Sequence, residues 1–183
     1  MKESNNFLNK NKAEIFYVNI YNKSAKKIKN IVFDLGNVLI NFDKDTYLKE
    51  KLPKEKREDF HDNVIGTKEW LMLDRGTLTY PEAKKIFKER SPHLATEIDN
   101  FFDKDFFELL KPIKENIELL YKLRDHYEYK LYVLSNFHKD SYEYVFKHND
   151  FFKLFEGCLI SCYFKLLKPE EKIYDTLLYE FGL

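Results

Sequence analysis

The chain has 183 residues, with 31 basic against 31 acidic side chains and only two cysteines. A balanced charge sets up no field toward nucleic acid or an anionic membrane surface, and no apolar run reaches the ~18 residues of a membrane helix. The length accommodates one hydrophobic core and at most a small appended unit. In chain order, residues 1–29 are rich in Lys and Asn and read as a loosely ordered arm, with Ile15–Tyr21 a β-prone stretch inside it. Asn19 interrupts Ile15-Phe16-Tyr17-Val18, so no signal-peptide apolar region forms and a soluble cytoplasmic protein is expected. The first strand spans about 30–34, and 35–43 read as a turn and short hairpin. From about 45 to 108 the pattern is helical. It is broken at Leu52-Pro53 and Ser91-Pro92, closed by Gly76, and restarted by a capping box from Thr79 to Glu82. Phe101, Phe102, Phe106, Leu109 and Leu110 have the spacing of a buried helical face. A helix at about 113–126 with Ile117, Leu120, Tyr121 and Leu123 inward, a strand at 130–136, a helix at 139–149, a strand around Cys158–Ser161 and a helix from 170 complete the chain. Strands alternating with helices imply a parallel sheet.

Three of these segments end in chemistry. Ile31-Val32-Phe33 runs into Asp34, followed by the Gly36 turn; an ionised carboxylate is costly to bury unpaired, and strand ends are where parallel sheets place reactive groups. A turn-capping role for Asp34 is the plain alternative. The second strand ends in Ser135-Asn136, and Lys168-Pro169 follows the third.

Strand-then-Asp34, strand-then-Ser135-Asn136 and strand-then-Lys168-Pro169, in that order, resemble the haloacid dehalogenase-like (HAD) hydrolase superfamily. Phe33-Asp34-Leu35-Gly36-Asn37-Val38 together with Ile173-Tyr174 after Lys168 is similar to its sugar-phosphate phosphatases with a helical cap. The resemblance implies an α/β, Rossmannoid three-layer core with a parallel sheet from 30–44 and 109–183, and a cap inserted at 45–108. It implies a Mg²⁺-dependent phosphatase of a small phosphorylated metabolite, with no nucleic-acid or membrane partner. Asp34 would be nucleophile and metal ligand, forming an aspartyl-phosphate, and the Gly36 backbone carbonyl a second ligand. Ser135 and the Asn136 N–H would bind phosphate, and Lys168 would neutralise charge. Lys165 is the rival lysine, and the register to Ile173-Tyr174 favours Lys168.

The chain departs from the pattern in places. The family's phosphatases usually carry a second Asp two residues after the first, as general acid and base; here Gly36 has no proton to give. Losing such a group typically costs ~10²–10⁴-fold. Tyr163 and Lys165 stand where an acidic residue and a glycine are usual. The fourth motif, with its metal carboxylates, is not reached before Leu183, so the core reads as truncated after its third strand. Asp43 lies beyond the hairpin, poorly placed to replace those carboxylates. Truncation would expose the Ile31–Phe33 edge, which a homodimer across that edge or an added strand from Ile15–Tyr21 would cover. Two other readings follow: a catalytically inactive truncated domain, and a metal-free 2-haloacid dehalogenase-type hydrolase. Cys158 and Cys162 read as structural thiols. His61, His93, His126, His138 and His148 share no metal-ligand spacing and read as surface or capping residues. Trp70–Thr79 resembles a recurring cap segment and reads as a helix-turn-helix corner, and Glu170-Glu171 suits a helix N-terminus.

Overall fold

The computed structural model describes residues 28–127 and 129–183, so most of the expected arm, including Ile15–Tyr21, lies outside the described residues. Five strands and ten α-helices follow one another in chain order among them. β1 (Asn30–Phe33), β4 (Lys130–Ser135) and β5 (Phe155–Ile160) form a parallel sheet in the order β1-β4-β5. Among the described residues β1 is its margin, pairing with β4 alone, Phe33 opposite Val133. β2 (Ile40–Asn41) and β3 (Lys111–Pro112) pair antiparallel, at the exit from the sheet layer and the return to it.

The two-residue period of the strands sorts their side chains into two layers. Ile31, Phe33, Leu131 and Val133 face one side, where they pack with Val38, Leu39 and Ile40, with Leu120 of α7 (Lys114–Tyr127) and with Val145 of α8 (Lys139–His148). Val32, Tyr132, Leu134 and Leu159 face the other, covered by Ile173 and Leu177 of α10 (Glu171–Phe181). Helices on both faces of a parallel sheet give the three-layer α/β core that the sequence led us to expect.

Between β2 and β3 the chain is helical: α1 (Lys44–Lys51), α2 (Lys54–Phe60), α3 (Lys68–Arg75), α4 (Tyr80–Arg90), α5 (Ala95–Asn100) and α6 (Phe106–Leu109). This stretch packs around its own aromatic cluster, in which the Phe101 ring sits 4.8 Å from Tyr47 and 5.4 Å from Phe60. The sequence punctuation acts where it was read. Leu52-Pro53 separates α1 from α2, Gly76 closes α3 with φ +68°, and Thr79 and Glu82 form the capping box of α4. No helix among the described residues is long and apolar enough to cross a membrane.

Four local expectations are corrected. Residues 35–43 do not fold into a self-contained hairpin; the tight turn from Leu35 delivers Ile40 to Pro112 of β3, because the antiparallel partner comes from the returning chain. Residues 101–105 widen into a π-helical turn, which puts the adjacent Phe101 and Phe102 both inside and leaves Leu109 half-buried. Tyr121 is exposed, since Ile117 and Leu120 already fill the inward face of α7. The third strand starts earlier than expected, at Phe155, and Ser161 opens the short helix α9 (Ser161–Phe164).

Candidate active site

Parallel pairing with Phe33 opposite Val133 brings the C-terminal ends of β1 and β4 to one rim of the sheet, where open α/β sheets bind ligands. Asp34 follows β1 there, partly exposed. Its Oδ1 accepts hydrogen bonds from the Leu35 N–H (2.8 Å) and from the Ser135 hydroxyl (2.6 Å). Its Oδ2 lies 2.6 Å from Lys168 Nζ, an ion pair with both side chains largely shielded. The carboxylate is therefore oriented by three donors from three segments far apart in sequence. Ser135 is fully buried, and its proton is committed to Asp34 in this state.

Asn136 reaches across to the loop that carries Lys168. Its side-chain oxygen accepts from the Lys168 N–H (2.8 Å) and its amide donates to the Lys168 carbonyl (3.1 Å). That reciprocal pair fixes the lysine's main chain, a task additional to the one expected of its own N–H. Gly36 borders the cavity beside the site, and a Cβ at this position would meet nothing within 4 Å. All five residues singled out from the sequence thus converge. The rival, Lys165, does not enter: its ammonium donates to the carbonyls of Gly76 and Cys162. Asp43 is an exposed N-cap of α1, accepting from Thr46 N (2.9 Å), and does not reach the site.

The cavity, about 150 Å³, is bordered from the core segments by Gly36, Phe42, Leu110, Asn136, Phe137, His138 and Ser141, and from the helical stretch by Trp70, Asp74 and Phe106. Two of these residues were missed by sequence reasoning. Asp74 was read only as part of a helix-turn-helix corner. Its one visible signal was a carboxylate in the last turn of a helix, where it faces the negative end of the dipole. Burial, with the Asp34 charge adding to it, pushes the Asp74 carboxyl up to about 7, against the pull of Lys168. His138 was read as a surface or capping residue. It does stand at the N-cap of α8, but it is buried between Trp70 and Tyr80, and burial holds its imidazole neutral, down to about 3, against a weaker pull from the Trp70 carbonyl. Its Nδ1 meets the Tyr80 hydroxyl at 3.2 Å. Its Nε2 lies 3.4 Å from Asp74 Oδ1, too poorly aligned to count as a hydrogen bond, and is otherwise unpartnered. The two free thiols, Cys158 in β5 and Cys162 in α9, are both pushed up to about 11 by burial, as inert structural cysteines should be.

No family model and no curated protein matches the sequence. Solved structures do match the fold. A HAD-family enzyme from Bacteroides thetaiotaomicron, crystallised in complex with magnesium and inorganic phosphate, superposes with a TM-score of 0.66 at 25% identity, over 86% of this chain and 80% of that one. A predicted HAD-like family hydrolase from Porphyromonas gingivalis gives 0.57 at 19% identity, over 85% and 77%. The L-2-haloacid dehalogenase of Xanthobacter autotrophicus, with chloropropionic acid covalently bound, gives 0.56 at 16%, over 86% and 66%. With its three-layer core and the three segments that meet at Asp34, the chain is a member of the HAD-like hydrolase superfamily.

Proposed function

We propose that this protein is a phosphohydrolase that cleaves a small phosphorylated metabolite, of the sugar-phosphate type, through an aspartyl-phosphate on Asp34. The observation that carries this reading is the grip on that carboxylate: one oxygen held by the Leu35 N–H and the Ser135 hydroxyl, the other against Lys168, at the open end of a strand. A carboxylate attacking a phosphate meets a repulsion of about 4 kcal/mol per pair of unit charges at 4 Å and an effective dielectric of 20. Lys168 is placed to offset it. The Ser135 hydroxyl and the Asn136 N–H would take phosphate oxygens as substrate arrives, with the Asn136 side chain holding the lysine loop in register.

Among the described residues no group of three His, Cys, Asp or Glu side chains gathers to hold a metal. The donors present fit Mg²⁺ in the way that ion is often bound, through one or two carboxylates with waters and substrate oxygens completing the octahedron. Asp34 and the Gly36 carbonyl would hold it, and its charge would help to neutralise the transferring phosphoryl group. The relative crystallised with magnesium and inorganic phosphate supports this choice.

The test is turnover of an aryl phosphate with and without Mg²⁺, for the wild type and Asp34→Asn. Mg²⁺-dependent hydrolysis abolished by the substitution is the expected result. Metal-independent release of halide from 2-chloropropionate by the wild type, with no phosphatase activity, would instead establish the dehalogenase reading.

A further inference from the structure

We propose that Asp74, brought in from the helical unit, is the general acid and base of this reaction and takes the place of the side chain that Gly36 lacks. The inference rests on the phosphatase reading of Asp34 and goes beyond it. Asp74 stands in the last turn of α3 and borders the same cavity as Gly36 and Asn136, close enough to the site for the charges of Asp34 and Lys168 to act on its carboxyl.

The main chain at Asp74 is fixed against the loop that carries Lys168. Its carbonyl accepts from the fully buried Ser161 hydroxyl. The next residue, Arg75, donates to the Lys165 carbonyl (2.9 Å) and pairs with Glu170, and the Lys165 ammonium returns to the Gly76 carbonyl. Gly76 itself passes so close to Cys162 that a Cβ would lie 2.2 Å from that carbonyl oxygen. These tethers fix where the backbone presents the Asp74 side chain.

The carboxyl has no structural task to account for it. Among the described residues it makes no hydrogen bond, and its near neighbour is the neutral, otherwise unpartnered Nε2 of His138. It sits at the unfavourable end of a helix and within the field of Asp34. Local rules are broken in this way mainly at functional sites. A carboxyl largely shielded from water on the cavity wall favours its protonated form, the form that can give a proton to a leaving oxygen. The other groups around the cavity are unsuited. His138 stays neutral, and the Tyr80 hydroxyl, bonded to Ser141, is held well above its ordinary range by burial.

In the first step Asp34 Oδ attacks phosphorus, the bond from phosphorus to the ester oxygen breaks, and that oxygen takes the proton from the Asp74 carboxyl. In the second, water attacks the same phosphorus, its proton passes to the Asp74 carboxylate, and the bond from phosphorus to Asp34 breaks. Phosphate ester and water give alcohol and inorganic phosphate, with both carboxyl groups returned to their starting states.

The experiment compares Asp74→Asn with wild type on glycerol phosphate, an alkyl ester, and on 2,4-dinitrophenyl phosphate, whose leaving group needs no proton. kcat/KM reports steps only as far as leaving-group departure. We expect it to fall on the order of 10²-fold or more for the alkyl ester and less than about 10-fold for the activated one. An initial burst of dinitrophenol in the variant, from slowed hydrolysis of the aspartyl-phosphate, would add support. Equal losses on both esters would overturn the inference, and if raising Mg²⁺ restored both, Asp74 would be a metal ligand instead. An unchanged kcat/KM on the alkyl ester would also overturn it. If the wild type hydrolyses neither ester, the phosphatase reading itself fails. If it hydrolyses both in an Asp34-dependent manner and only the leaving-group pattern is absent, the role of Asp74 alone fails.

Discussion

The Asp74 carboxyl should leave a mark on folding that can be read without any substrate. In the unfolded chain it ionises near 3.8, and in the folded protein near 7. Between those values the unfolded chain binds fewer protons than the native state, so stability falls as pH rises. Each unit of difference is worth 1.36 kcal/mol, and the gap of roughly three units amounts to about 4 kcal/mol. That contribution is intact below pH 4 and fully lost above pH 7. Against a typical total stability of 5–15 kcal/mol it is a large fraction. Asp74→Asn keeps the shape and removes the ionisation. Urea unfolding of wild type and variant in Mg²⁺-free buffer from pH 4 to pH 8 should give curves that meet at the acid end. They should diverge until the variant is more stable by about 4 kcal/mol at pH 8. The other titrating groups are common to both proteins and cancel in the difference. Curves separated by a constant offset, or a variant that is less stable at pH 8, would refute the claim that this carboxyl is buried in the field of Asp34.

The two glycines flanking the site should behave oppositely. Gly76→Ala meets both a left-handed backbone and the Cys162 carbonyl, and should cost at least about 2 kcal/mol in chemical denaturation, whereas Gly36→Ala faces open space and should stay within about 0.5 kcal/mol. Phe101→Ala, at the centre of the helical unit's aromatic cluster, should cost about 3–5 kcal/mol in the same measurement. Asn136→Ala removes both hydrogen bonds to the Lys168 main chain and should destabilise by about 1–3 kcal/mol. It should also lower phosphatase kcat/KM, and a variant with wild-type kinetics would show that the lysine loop needs no such tie.

Much of this protein is written in local chemistry. Continuous apolar runs marked β1, β4 and the end of β5, because a strand buried on both faces carries side chains of only one kind. Proline, glycine and the Thr79–Glu82 box marked the helix boundaries because each acts within one turn of chain. Asp34 and Ser135 stood out because each ends an apolar run that has no use for it, and Lys168 by its place in the motif order that resembles the HAD superfamily; the structure brings the three together at one rim. Other features depend on segments distant in sequence. The pairing of Ile40 with Pro112 and the π-helical turn at 101–105 are set by packing partners rather than by neighbours. Asp74 and His138 look like ordinary helix-end residues along the chain. Asp74 borders the cavity because α3 is clamped, through Ser161, Arg75 and the side chain of Lys165, onto the segment after β5, and His138 because β4 ends three residues before it. Sequence by itself determined which groups could do chemistry at the strand ends. The tertiary structure decided which carboxyl stands opposite them, since burial and the field of a second carboxylate exist only once the helical unit is docked.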